Sequence, residues 1–218
     1  MTQTNLYLIR HGQTASNQVR LIQGWDGEPL NARGRWQAER AGARLARAGI
    51  AALYASPLRR ALETAEIIGR TTGLNVTIVD DLREMDTGRA SGMHGAQFMI
   101  RHPRLWWAWV RDDARLAFPG GDTLSSFYPR AARAIEDLVT RHRGQTLAIV
   151  SHGGAISGYL SLLLRGRGSN RFALQLRNGA ICHLRWRDDG RPQMLAFNDN
   201  AHLREQIVPI DRPATQQD

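Results

Sequence analysis

The amino-acid sequence predicts an α/β fold: a three-layer α/β/α sandwich on a mostly parallel sheet with an antiparallel edge strand. Two observations carry this. Short apolar runs alternate with stretches of helical periodicity along the chain, the pattern of successive βαβ units. The last two apolar runs flank "RDDGRP", a turn-rich connection, and so are expected to pair antiparallel at one edge.

In chain order, strands are predicted at 5–10, 53–56, 76–79, 146–151, 180–186 and 193–197. Asn31 caps a helix running to residue 48, with Gly49 closing it. Ser56-Pro57 reads as a Ser N-cap followed by Pro at the first helical position. Leu58, Ala61, Leu62, Ala65 and Ile68 then share one face as far as Gly73. Thr123 opens a helix whose apolar side is Leu124, Phe127, Ala131, Ile135, Leu138 and Val139. Pro129, which lacks an N–H, predicts a kink there or a later start. His152-Gly153-Gly154 leads into a final helix over 155–164. No internal repeat is visible, so residues 1–218 read as one domain, with 210–218 a frayed tail.

Composition narrows the function classes. An apolar fraction of 42% and a charged fraction of 22% are ordinary for a globular protein. There is no long uncharged apolar stretch and no basic-then-apolar leader, so neither a membrane span nor a signal peptide is expected. The lone Cys182 rules out an intramolecular disulfide framework and suits a reducing compartment; cytoplasm is the expectation. A net charge of +9 invites a nucleic-acid reading. All 29 basic residues are Arg, however, and they are spread along the chain rather than gathered on one face, so no nucleic-acid partner is expected.

In open α/β sheets, ligands bind beyond the carboxyl ends of the parallel strands. The first strand ends in Arg10-His11-Gly12, and the second in Ser56-Pro57, with Arg60 in the next helical turn. The fourth ends in Ser151-His152-Gly153-Gly154 at a helix start, where backbone N–H groups favour an anion. After the third, "DDLREMDTG" places Glu84 at the same rim. Two guanidiniums suit the paired oxygens of a phosphate. An imidazole among cations has its pKa pushed down, leaving a ring nitrogen free to attack. A rim carboxylate can protonate a leaving oxygen and then activate water. The inventory fits phosphoryl transfer through a phosphohistidine.

These stretches also carry a resemblance. "LIRHGQTASN", "QGWDGEPLNARG", "SPLRRALETA", "LREMDTGRASG", "PGGDT", "IVSHGGAI" and "NGAICHL" resemble, in order, the motifs of the histidine phosphatase superfamily, the phosphoglycerate mutase-like proteins. The resemblance implies that His11 is the phosphorylated nucleophile and that Arg10, Arg60 and His152 hold the phosphoryl oxygens, assisted by Asn17 and the Gly153 backbone. It further implies that Glu84 is the general acid and base, that Gln23 and Gly24 line the phosphate pocket, and that no cofactor is needed. The substrate would be a small phosphorylated metabolite. Many relatives are dimers, which allows a homodimer.

Simpler readings compete at several positions. His11 and His152 could be structural, but the surrounding motifs speak against it. No H-x-x-x-H or Cys-rich spacing suggests a metal. Spacing from Ser56-Pro57 selects Arg60 as inward over Arg59, and Leu82-x-Glu84 selects Glu84 over Asp80, Asp81 and Asp86. Asn17 could equally bond its own backbone in a turn. "RHPRLWWAWVRDD" reads either as a helix packing Trp106, Trp107 and Trp109 on the domain or, with the resemblance, as part of a lid over 93–122. His94, His102, His142, His183 and His202 are read as ordinary residues.

A phosphatase and a mutase share the first half-reaction and differ in what takes the phosphoryl group. The compact stretch between Glu84 and His152, the short tail and "RHGQT" favour the phosphatase branch over a cofactor-dependent phosphoglycerate mutase. "GRASG" departs from the family, which often has an aromatic and a Glu there, so no particular substrate carries over. A binding protein without catalysis, for phosphorylated ligands or nucleic acid, does not account for the ordered motifs.

Overall fold

In the computed structural model, residues 3–164, 174–187 and 190–204 are described. Strand β1 (Thr4–Arg10) is apolar on both faces: Leu6 and Leu8 point to one side, Tyr7 and Ile9 to the other. Such a strand is stable only between two layers of helices. The short helix α1 (Ala15–Gln18) follows. Next, α2 (Ala32–Leu45), β2 (Ala52–Ala55), α3 (Arg59–Thr72) and β3 (Val76–Ile78) form the first crossovers. Helices α4 (Gly95–Arg101) and α5 (Pro103–Val110) precede α6 (Leu124–Arg141). The described chain ends with β4 (Thr146–Ser151), α7 (Gly153–Leu163), β5 (Ile181–Trp186), β6 (Pro192–Asp199) and a 3₁₀ turn at Ala201–Leu203.

The six-stranded sheet has the order β3-β2-β4-β1-β5-β6. β1 to β4 are mutually parallel, and β5 runs antiparallel to both β1 and β6. On one face α6 and α7 pack Ile135, Leu138, Ile156 and Leu160 over Leu6, Leu8, Leu147 and Ile149. On the other, α2 and α3 pack Ala41, Leu45, Ala65 and Ile68 over Ile9, Leu53, Ala148 and Val150. The period-2 alternation of the strands therefore meets two separate apolar clusters, the sandwich that the sequence predicts.

Helix ends agree with expectation in part. Asn31 Oδ1 accepts the Gly34 N–H at 2.8 Å, but α2 stops at Leu45, three residues early. Gly73 closes α3 at φ +75°. Ser56 is not the cap of α3; the helix begins at Arg59, and Ser56 turns to another partner described below. Pro129 does not delay α6, which is continuous from Leu124 under a Thr123–Ser126 capping box. The carbonyl that Pro129 leaves without its N–H, that of Ser125, belongs to an exposed residue of the first turn, where water can satisfy it. The tail 210–218 lies outside the described residues.

The 93–122 segment adds a third apolar cluster, in which Phe98, Leu116 and Phe118 pack with Phe127 and Tyr128 of α6. Trp106 and Trp109 join it, edge to face with each other. Trp107 is exposed, with the Arg111 guanidinium 5.7 Å from its ring.

Candidate active site

β1 and β4 are adjacent and parallel, with Arg10 opposite Ser151, so the residues that follow each strand emerge side by side. His11 and His152 thereby face one another with ring centroids 5.2 Å apart. The His11 main chain is pinned, its N–H donating to Ser151 O at 2.9 Å and its carbonyl accepting from Asn178 Nδ2 at 3.1 Å. Nδ1 of His11 lies 2.7 Å from Gly12 O. A carbonyl can only accept, so Nδ1 carries the proton and Nε2 keeps its lone pair. That lone pair accepts Arg60 Nε–H at 3.3 Å.

Arg60 is 1% exposed, whereas its neighbour Arg59 faces solvent. Its guanidinium donates to Gly24 O at 2.8 Å and Asp26 O at 3.0 Å, and Gly24 turns the chain toward it at φ +51°. Arg10 Nη1 donates to Leu176 O at 2.5 Å. Among the described residues, neither Arg10 nor Arg60 is ion-paired with a carboxylate. Burial lowers the pKa of both, to about 10 for Arg60, with the charge of Glu84 opposing the shift. A buried guanidinium such as Arg60's, and a half-buried one such as Arg10's, are costly without an anion.

Burial, then the charges of Arg60 and Arg10, hold His11 well below the ordinary imidazole range. His152 is held low by burial and then by Arg60, His11 and Arg10. Both rings are therefore neutral at neutral pH. His152 Nε2 is 2.8 Å from Ser56 Oγ, while its Nδ1, like Arg10 Nε, is buried without a hydrogen-bond partner among the described residues. Two buried polar atoms left open beside two unpaired cations point to an anionic ligand.

Glu84 reaches the same place from a loop. Its Oε2 accepts the Gly154 N–H at 2.9 Å, and its Oε1 accepts the Met85 N–H at 2.9 Å. A Cβ at residue 154 would collide with that carboxylate, so only glycine admits it. A Cβ at Gly153 would be only 3.4 Å from the Arg10 guanidinium carbon.

Asn17, Gln23 and Gly24 join the site through hydrogen bonds. Asn17 Oδ1 accepts from Thr14 N and Asn178 Nδ2, and its Nδ2 donates to Gln23 Oε1. Gln23 donates from Nε2 to Thr14 Oγ1 and Glu28 Oε2. Asn17 closes a local capping box with Thr14, as its turn reading expects, and joins a network that reaches the His11 carbonyl through Asn178 Nδ2. Sequence reasoning gave no site role to Ser56, Thr64 (which accepts the Gly12 N–H at 3.1 Å) or Asn178, and gave Gly154 only a backbone N–H at a helix start. Each lies inside or beside a quoted motif, so position within the motif was the available signal.

Among the described residues, no group of three His, Cys, Asp or Glu side chains could hold a metal ion, and no helix is long and apolar enough to cross a membrane.

Comparison with known proteins agrees with the motifs. Residues 6–200 match the histidine phosphatase superfamily (branch 1), and the chain belongs to that family. Phosphoglycerate mutase-like protein 4 of Arabidopsis thaliana is 32% identical, over 92% of this chain and 87% of its own length. Phosphoserine phosphatase 1 of Hydrogenobacter thermophilus is 31% identical, over 93% and 96%. Among solved structures, a mycobacterial glucosyl-3-phosphoglycerate phosphatase superposes with a TM-score of 0.80 at 30% identity, covering 89% of this chain and 98% of that one. The chain spans only 56% of another relative, the bifunctional protein Rv2228c of Mycobacterium tuberculosis.

Proposed function

We propose that this protein is a metal-independent phosphomonoesterase that hydrolyses a small phosphorylated metabolite through a phosphohistidine on His11. The observation that carries the reading is the His11 imidazole itself. It is buried and neutral, with its proton committed to Gly12 O and its Nε2 lone pair facing Arg60.

In the first step the substrate phosphate takes the donors now turned elsewhere or open: Arg60 Nε, Arg10 Nε and His152 Nδ1. With Ser56 Oγ–H donating to His152 Nε2 across their 2.8 Å contact, the single proton of that neutral ring sits on Nδ1, where it can meet the phosphate. His11 Nε2 attacks phosphorus in line, the P–O bond to the leaving group breaks, and Glu84 gives the departing oxygen its proton. The preset donors stabilise the equatorial charge. In the second step Glu84 takes a proton from water, whose oxygen attacks phosphorus and breaks the P–N bond. Phosphate leaves, and His11 and Glu84 return to their starting states. Asn17, Gln23, Gly24 and Gly153 shape the cradle rather than take part in proton transfer.

Relatives named for phosphoserine and glucosyl-3-phosphoglycerate support a small phosphate monoester as substrate. The mutase-like name of the Arabidopsis relative keeps one rival in view. The test is phosphate release in EDTA from a panel including phosphoserine and 3-phosphoglycerate, with His11→Ala alongside. Release that survives chelation and vanishes in the variant is expected. Conversion of 3-phosphoglycerate only with a bisphosphoglycerate primer would replace the phosphatase reading with the mutase one.

A further inference from the structure

Glu84 is held at its backbone as firmly as at its carboxylate. Its main-chain carbonyl accepts two side-chain donors that are far away in sequence, Trp25 Nε1 at 2.7 Å and Arg130 Nη2 at 3.3 Å. Arg130 Nη1 also donates to the carbonyls of Asp81 at 3.0 Å and Arg83 at 3.3 Å. Its Nη2 meets Asp122 Oδ2 at 3.3 Å, and that same oxygen accepts the Asp86 N–H at 2.9 Å. One guanidinium on α6 therefore fastens the whole turn that carries Glu84. No strand or helix does so, because the 3₁₀ turn Asp80–Leu82 has already ended.

Trp25 adds a second link. The carbonyls of its neighbours, Gly24 and Asp26, are the two that accept from the Arg60 guanidinium. Three consecutive residues thus touch both the cation of the phosphate cradle and the backbone of the rim carboxylate. The indole is 41% exposed, with the Arg83 guanidinium carbon 5.0 Å from its ring centroid.

We propose that Trp25 and Arg130 are positioning residues for proton transfer by Glu84, with Trp25 coupling the grip of Arg60 on phosphate to the alignment of the acid. This rests on the reading of Glu84 as general acid. The 84–85 peptide whose carbonyl Trp25 and Arg130 hold also carries the Met85 N–H that grips Glu84 Oε1, so turning it loosens the carboxylate, and proton transfer tolerates little displacement.

The test measures kcat/KM across aryl and alkyl phosphates of rising leaving-group basicity for Trp25→Phe, Arg130→Lys, Arg130→Met and Glu84→Gln. Folding is checked by circular dichroism and thermal midpoint. Trp25→Phe keeps a ring for Arg83 and deletes only the N–H. Glu84→Gln is expected to lose more as the leaving group becomes more basic. Trp25→Phe and Arg130→Met should follow the same trend, losing about fivefold on alkyl phosphates, the worth of one hydrogen bond, and almost nothing on dinitrophenyl phosphate. Arg130→Lys should recover part of the loss, and Trp25→Phe should cost nothing further in a Glu84→Gln background.

Equal losses on all substrates, unchanged rates, or full additivity with Glu84→Gln would overturn the inference. A flat profile in Glu84→Gln itself would instead overturn the acid reading, and this inference with it. If Arg130→Met does not fold, Trp25→Phe and Arg130→Lys decide the matter.

Discussion

The proposed phosphate cradle and the rim that faces it are built by different means. His11 and His152 leave adjacent parallel strands whose register is set by the core, and Arg60 is buried in the first turn of α3. Glu84 sits on a loop, and what keeps it in place is a handful of hydrogen bonds from Gly154, Met85, Trp25 and Arg130. A cradle anchored in the sheet is rigid at no extra cost to the fold. A loop-borne acid can be retuned by changing its few partners, without disturbing the sheet. On the proposed mechanism, chemistry common to many phosphate esters belongs to the first region, and discrimination between leaving groups to the second.

Substitutions should separate the two regions. His11→Ala removes the proposed nucleophile and should lower turnover on every substrate by at least about ten-thousandfold, as loss of a covalent nucleophile does elsewhere; phosphate release measures it. Glu84→Gln should cost about a hundred- to ten-thousandfold on basic leaving groups and far less on acidic ones. A uniform loss would merge rim and cradle into one unit. Gly154→Ala lies where the regions touch, since its methyl meets the Glu84 carboxylate; a loss in kcat of about a hundredfold with little change in thermal midpoint is expected. Asn17→Ala should cost about fivefold, mostly in KM.

The pH dependence of stability gives the smallest effect. His11 and His152 are held neutral when folded, so between their lowered pKa values and about 6.5 only the unfolded chain takes up their protons. Stability should therefore fall as the pH drops below that value. Melting curves of His152→Gln should show a shallower fall. Burial also lowers His183 and His202, which leaves a residual slope.

What could be read from the sequence followed the same division. The apolar runs at 5–10 and 146–151 foretold buried strands, and the motifs after them and after the strand at 53–56 placed His11, His152 and Arg60 at one rim, where the structure brings them together. Ser56 was misread as a helix cap because Ser-Pro is a strong local signal, whereas its bond to His152 depends on the β2–β4 pairing. Trp25 carried no signal beyond its place inside "QGWDGEPLNARG", and Arg130 carried none, since their contacts with Glu84 span 59 and 46 residues. The later start expected at Pro129 also failed, because exposure of the first turn is a tertiary fact.

The central claim is a covalent phosphoryl group on His11. Rapid acid-free quenching of the enzyme with a phosphoryl-labelled monoester, followed by denaturing separation and peptide mapping, tests it directly. The account predicts label on the peptide containing His11, stable to base, lost in acid and absent from His11→Ala. Turnover without a trapped label, or a label that persists in His11→Ala, would contradict it.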